Sequence, residues 1–441
     1  MNRFILSILT LLSGFTCCAL VGDWRGDLTL GNAKLPLVFH FSDNGNKCTL
    51  DSPLQGVKGL GTKVNFCNAD SVSVSIASIG ASYSGKITEQ EINGVFSQRG
   101  YSFPLVLTLD KSIYDRRPQT PRPPFPYNSV DTTFTSSDNT LLSGTLVTPE
   151  SMNSKTPVVV FITGSGPQNR DEEMFDHCPF AVMADFLARN GVASFRFDDR
   201  GVAKSQGNFK TADINTFKSD AEAAVQFIRS LNLFRKVGVT GHSEGGTIGL
   251  MLASDGKVDF AISLAGGIIK VKDILLSQNL HFLDKLQVSR KQKDDVTTLI
   301  SKFFDDVIGG KAYAEIDIDS YIRENNLDIP SPVLSSFRQN LAAATGSYYR
   351  QLLSLTPSEW IGKIKVPVFA LNGTLDTQVN CNTNLSELKK LLPNAETKEY
   401  PGLNHLFQHA ETGEMTEYIE ITETVSPEVL EDILKFIKKQ K

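Results

Sequence analysis

Histidine is scarce in this chain, with six residues among 441, and so is cysteine, also six. Neither type is grouped at the spacings zinc sites use, so no metal and no other cofactor is expected. Even His405 and His409, four residues apart with Glu411 close by, lack a further histidine or cysteine to complete a set. Charge of one sign is missing too: 44 basic residues stand against 49 acidic ones, for a net charge of −5. The lysines and arginines form no basic stripe, which argues against nucleic acid as a partner. After the first residues no apolar run is long enough to cross a bilayer, so no stable membrane insertion is expected. What the chain does have is 41% apolar residues over 441 positions, enough to bury more than one core.

The start reads as an address. Asn2-Arg3 precedes the apolar stretch Phe4 to Leu12, short for a bilayer span, and residues 1–19 have the pattern of a signal peptide cleaved after Ala19. The expectation is an exported protein, periplasmic or secreted, with a lipid anchor on Cys17 or Cys18 as the less favoured outcome. Four cysteines would then remain, Cys48, Cys67, Cys178 and Cys381. A Cys48–Cys67 bond would staple a small domain, and burial as small apolar side chains explains them equally well.

The densest chemical signal is Gly241-His242-Ser243-Glu244-Gly245. Val237 to Thr240 before it reads as a buried strand, and Thr247 to Ala253 after it as a helix. A serine between glycines at a strand-to-helix turn is the pattern of a nucleophile elbow, where close chain packing admits only glycine at the flanks. A serine hydroxyl is a poor nucleophile without a base, and the base needs an orienting group. Asp376 stands just past the apolar run Val366 to Leu371, where open α/β sheets place ligands at strand ends. The competing role for it is to cap the helix starting near Cys381. His405 lies in the loop Tyr400-Pro401-Gly402-Leu403-Asn404-His405. His40, His242 and His281 read as structural, and His177 as at most a pocket wall. Two N–H groups are needed for the oxyanion: that of Glu244, next to the serine, and that of Ser165, in the glycine-bearing loop after the strand Pro157 to Ile162.

With these segments assembled, the chain resembles the α/β-hydrolase superfamily, most closely secreted bacterial serine esterases with an extra N-terminal β domain. The resemblance rests on Thr163-Gly164-Ser165-Gly166-Pro167, on Phe197-Asp198-Asp199-Arg200-Gly201-Val202-Ala203-Lys204-Ser205, on the elbow, on Asn372-Gly373-Thr374-Leu375-Asp376 and on Gly402-Leu403-Asn404-His405. Thr163 stands where such enzymes often carry histidine, and Ala203 where glycine is common. The resemblance implies a mostly parallel sheet flanked by helices. It also implies a Ser243–His405–Asp376 triad forming an acyl-enzyme, and carboxylic esters as substrates. Arg170 and Arg200 are structural on this reading, with greeting an acidic substrate group as the alternative.

The remaining patterning suits that architecture. Short alternating runs between residues 20 and 112, such as Ser71 to Ile76, predict an antiparallel β domain, a small barrel or sandwich. Residues 113–127 are proline-rich and read as a stiff linker. Residues 128–267 and 361–441 supply the two parts of the hydrolase core, and residues 268–360, with helical periodicity, a cap over the pocket. The expected substrates are short acyl esters, small-molecule or glycan-linked. A serine exopeptidase on the same fold and a non-catalytic carbohydrate-binding protein are the alternatives.

Overall fold

The computed structural model describes residues 20–440, apart from 21, 31–32, 43–44, 56, 89–90, 110–116, 154 and 287. The signal-peptide segment, residues 1–19, lies outside the described residues. The chain divides into two compact units, residues 1–115 and 116–441.

The first unit is an antiparallel sheet of nine strands: β1 (Gly22–Leu30), β2 (Ala33–Ser42), β3 (Lys47–Ser52), β4 (Val57–Gly61), β5 (Lys63–Cys67), β6 (Ser71–Ile76), β7 (Ala81–Ile87), β8 (Glu91–Gln98) and β9 (Tyr101–Leu109). Their spatial order is β4-β3-β2-β1-β9-β8-β7-β6-β5. Each strand thus lies beside its chain neighbour, and β1 pairs with β9. The two strands at the ends of that order, β4 and β5, are separated in the chain by Thr62 alone. One residue spans only a few ångströms, so the two edges meet: β4 continues the pairing of β3, and β5 takes up that of β6. The unit is therefore an up-and-down barrel closed by one kinked strand. Alternation sends Val72, Val74 and Ile76 inward, where they join Trp24, Phe39, Tyr83, Ile92 and Leu107 in the core. Cys48 is a free, buried thiol, so the Cys48–Cys67 bond is not formed. Burial raises that thiol to about 12, which keeps it protonated.

The second unit carries an eight-stranded sheet in the order β10-β11-β13-β12-β14-β15-β16-β17. β10 (Tyr127–Thr135) and β11 (Leu141–Pro149) form an antiparallel hairpin, and β11 is antiparallel to β13. β12 (Val158–Ile162), β13 (Ala193–Phe197), β14 (Val237–His242), β15 (Ala261–Leu264), β16 (Val368–Gly373) and β17 (Glu396–Tyr400) run parallel. The parallel strands are apolar on both faces because helices cover both. In β12, Val158, Val160 and Ile162 enter one core while Val159 and Phe161 enter the other. The flanking helices are α1 (Pro179–Arg189), α2 (Ile214–Ser230) and α3 (Glu244–Ser254). A run of helices then interrupts the sheet: α4 (Val271–Asp284), α5 (Arg290–Ile308), α6 (Ile318–Glu324), α7 (Ser331–Ala344) and α8 (Ser347–Ser354). Val296, Leu299, Ile300, Phe303 and Phe304 give α5 its buried face, and these helices pack around their own core. The chain returns to the sheet at β16, reaches β17 through α9 (Cys381–Leu391) and ends in α10 (Pro427–Lys439), which buries Val429, Leu430, Ile433, Leu434 and Ile437. This is an α/β-hydrolase fold with a helical cap insertion, preceded by an antiparallel β domain.

The proline-bearing segment before β10 is tied to this unit. The Arg117 guanidinium donates to the carbonyls of Phe175, Ile419 and Ile421, and the Gln119 side chain bonds Thr424 and Val425.

Candidate active site

Strand order decides what meets at the carboxyl edge of the sheet. β12 and β14 are neighbours, with Ile162 opposite Gly241, so the loop after β12 and the turn after β14 emerge side by side. β14, β15, β16 and β17 then follow in order, which brings the loops after β16 and β17 to the same edge.

Ser243 sits between the last residue of β14 and the first of α3 with φ +52° and ψ −118°. That backbone is unfavourable for a residue with a side chain and is held by its surroundings. The Ser243 N–H donates to the Leu264 carbonyl at 2.8 Å. The flanking glycines are required by space: a Cβ on Gly241 would stand 2.0 Å from the Gly245 carbonyl oxygen, and one on Gly245 would stand 2.2 Å from that of Ile162. The loop after β12 lies directly against the serine, since a Cβ on Gly164 would be 3.4 Å from Ser243 Cβ.

Asp376 and His405 come together across 29 residues of chain. His405 Nδ1 and Asp376 Oδ2 are 2.7 Å apart, both side chains buried. The other carboxylate oxygen of Asp376 accepts the N–H groups of Gln378 and Val379, each at 2.8 Å. The helix cap that competed for Asp376 is Asn380, whose side chain accepts the Thr383 N–H. The loop of His405 is pinned by Asn404, whose side-chain oxygen accepts the N–H groups of Leu406 and Gln408, each at 3.0 Å. Among the described residues no hydrogen bond joins His405 to Ser243. The rings of His405 and His242 are 4.7 Å apart, so the imidazole lies beside the residue preceding the serine. Hydrogen bonds of this kind are often loose without substrate and tighten when it binds.

Ser165, Ser243 and Glu244 line one cavity of about 70 Å³. Its other walls are mostly aliphatic: Ile248 from α3, Val271, Ile274 and Leu275 from α4, Leu352 and Leu355 at the end of α8, and Val379. Glu244 opens α3, where N–H groups have no partner within the helix. The Gly164 N–H is engaged by the Glu172 carboxylate at 2.6 Å.

The side chains of three acids, Glu172, Asp199 and Glu244, stand around this loop. Glu172, buried, accepts from Gly164 and bonds His242 Nδ1 at 3.0 Å, while His242 Nε2 bonds the His405 carbonyl at the same distance. Burial is the largest single effect on His242 and opposes its charge, but the Glu172 carboxylate, the hydrogen bonds at both ring nitrogens and the charge of Asp376 together raise the imidazole. Asp199 accepts the Thr163 hydroxyl at 2.7 Å and the Gln168 N–H at 2.9 Å. Burial lifts its carboxyl to about 8 against those two bonds, with the charges of Glu244 and Glu172 adding to the rise. Burial likewise lifts Glu244 to about 7, opposed by a 2.5 Å hydrogen bond from the Tyr348 hydroxyl. The only sequence clue was that Thr163 stands where related chains carry histidine: here a hydroxyl, facing a buried acid, takes that place.

Residues with competing roles are accounted for. Arg200 grips Asp220 through two nitrogens and also binds Asp138. Arg170 grips Asp198 in the same bidentate way and reaches Asp131. Both are committed to ion pairs, so neither is available to an acidic substrate. His177 bonds the Thr424 hydroxyl and the Tyr418 carbonyl, His281 bonds Glu414, and His409 bonds Glu423. Among the described residues no cluster of three metal-ligating side chains occurs, and no helix is long and apolar enough to cross a membrane.

The sequence model of the alpha/beta hydrolase fold family matches residues 157–412. Esterase EstD of Thermotoga maritima is 23% identical over 253 residues, 57% of this chain and 54% of the relative. The chain thus spans about half the length of that curated relative. Among solved structures, the Pyrococcus furiosus esterase Pf2001 aligns over 71% of this chain and 91% of its own, at 18% identity and a TM-score of 0.44. Est1E of Butyrivibrio proteoclasticus, solved with ferulic acid bound, aligns over 70% and 99%, also at 18% identity and 0.44.

Proposed function

The chain belongs to the alpha/beta hydrolase fold family, and from that premise we propose that it is an exported serine esterase acting on short acyl esters. One observation carries the reading: a serine forced to positive φ at a strand end lies against a glycine loop, on the same sheet edge as a buried histidine–carboxylate pair 2.7 Å long.

In this mechanism His405 takes the Ser243 proton as Oγ attacks the ester carbonyl, and Asp376 holds the imidazole in the tautomer that presents Nε2. The carbonyl oxygen becomes an oxyanion held by the N–H groups of Glu244 and Ser165. Collapse breaks the ester C–O bond, and His405 returns the proton to the departing alcohol. Water then attacks the acyl-enzyme, His405 again accepting and returning one proton, and the free acid leaves with Ser243 restored. The small, aliphatic cavity beside Ser243 supports a short acyl group. Walls from α4 and α8 give the cap the choice of acyl length. The alcohol, small or glycan-linked, would lie outward of it. Export rests on the pattern of residues 1–19.

The test is a substrate panel of p-nitrophenyl acetate, p-nitrophenyl butyrate and aminoacyl anilides, run on the parent protein and on Ser243→Ala. Ester turnover should dominate and vanish in the variant without loss of fold. Anilide turnover matching ester turnover would replace the esterase reading with an exopeptidase, and full activity in the variant would remove Ser243 from the chemistry.

A further inference from the structure

A cavity in the N-terminal barrel is lined by no residue of the proposed triad. It measures about 480 Å³, against about 70 Å³ beside Ser243, and lies within the roughly 300–1,000 Å³ range of small-molecule sites. Eight-stranded up-and-down barrels have an interior just wide enough to be filled by side chains or to hold one small ligand. Counting β4 and β5 as one kinked strand, this barrel has eight strands around its axis, and its interior takes both options.

Part of it is filled. Phe39 and Tyr83 pack at 5.1 Å between ring centroids, and the Tyr83 hydroxyl donates to the carbonyls of Ile92 and Leu105. The cavity is lined by Leu28, Leu37, Leu50, Leu60, Phe96 and Phe103, a wall of aliphatic and aromatic carbon; Leu50 and Phe96 are the cross-strand partners of Phe39 and Tyr83. Its rim is polar. The inward alternation of β3, β8 and β9 ends in Ser52, Gln98 and Tyr101, joined by Gln55 and Arg99. Ser52 and Gln55 bond each other, and Gln98 bonds the Ile79 carbonyl, which fixes the rim's shape. Among the described residues, Arg99 is the one charged residue lining this cavity. It is exposed, makes no ion pair among the described residues, and occupies the left-handed region at φ +49°, a position easier for glycine or asparagine.

The geometry points to the barrel as a binding site for an apolar small molecule with an anionic head, a medium-chain carboxylate in class, its tail among the leucines and its head at Arg99. An apolar wall contributes affinity through burial. A single guanidinium at the rim selects the sign of the head group.

The full chain is titrated with 1-anilinonaphthalene-8-sulfonate, an anionic apolar fluorophore, and the probe displaced with decanoate or decylamine. Decanoate should displace it at one site per chain, about tenfold more tightly than decylamine. Leu50→Trp fills the cavity and should weaken decanoate at least about tenfold while p-nitrophenyl acetate turnover is unchanged. Val57→Trp, at a half-buried mouth position, serves the same end should the interior variant fail to fold. Arg99→Glu should reverse the order of decanoate and decylamine. Leu352→Trp, beside Ser243, should leave decanoate binding as it was. The site is overturned if decanoate binds no better than to denatured chain, if both filling variants bind it normally, or if Leu352→Trp is the change that weakens it. An Arg99→Glu protein with the parent's order would overturn the anionic head.

Discussion

His242 Nε2 donates to the carbonyl oxygen of His405 across 3.0 Å, so the residue beside Ser243 holds the loop that carries the imidazole. The other ring nitrogen of His242 meets Glu172, which also grips the Gly164 N–H. One buried pair thereby ties together the turn after β14, the loop after β12 and the loop after β17. Replacing His242 by alanine leaves Glu172 buried without its counter-charge, which costs on the order of 3–5 kcal/mol. The His405 loop loses its anchor as well. The expected outcome is a lower melting temperature and a fall in kcat of about tenfold or more, with a smaller change in KM. Glu172→Gln added to the variant should recover part of the stability but not the turnover.

Strain at Ser243 predicts an ordering of two inactive variants. At φ +52° alanine inherits the strain and glycine does not. Ser243→Gly should therefore be more stable than Ser243→Ala by about 1 kcal/mol, both being without esterase activity. Equal denaturation midpoints would mean that the turn is not under strain.

How far the sequence reaches is visible at these same residues. Ser243, Asp376 and His405 are legible because each sits where a local pattern ends: a strand followed by a turn, with glycines that allow close approach. The inward face of the barrel strands is legible for the same reason, since Ser71 to Ile76 alternates with a period of two. Pairings such as Glu172 with His242 and Asp199 with Thr163 span 70 and 36 residues, and no local pattern marks one acid out of 49 as the buried partner. Closure of the barrel through Thr62 is hidden too. Two short strand patterns separated by one polar residue look like neighbours, yet they pair on opposite sides.

The barrel carries its own pH dependence. His40 bonds Asp23 at 2.6 Å and Asp51 at 3.0 Å. Those two hydrogen bonds, against the opposing effect of burial, raise the imidazole from 6.5 to about 10. A group raised on folding stabilises fully below its unfolded value and loses that contribution as pH climbs through the folded one. Barrel stability should therefore decline from about pH 6.5 to about pH 10. His40→Gln should flatten the decline. Trp24 lies in the barrel core, and in a Trp360→Phe background its fluorescence during guanidinium melts reports this unit alone. An unchanged slope in His40→Gln would place the titration elsewhere.

The acids behind the oxyanion loop predict the alkaline limb of activity. Asp199 is raised to about 8 and Glu244 to about 7, burial being the first cause for both. Carboxyls raised on folding favour the native state below their ordinary range near 4 and lose that contribution as pH rises through the folded values, so stability should fall between about pH 4 and about pH 8. Ionisation also puts negative charge beside the N–H groups proposed to hold the oxyanion, and like charge there disfavours the transition state. Because the two carboxyls sense one another, they should titrate as a pair rather than singly. kcat/KM for p-nitrophenyl acetate should accordingly decline above about pH 7–8. Asp199→Asn keeps the acid's shape without its charge, so it should move that decline to higher pH and flatten the loss of stability over the same range. A pH profile identical to the parent's would show that Asp199 stays protonated throughout, or that its charge does not reach the reacting carbonyl, and either result removes it from the control of the limb.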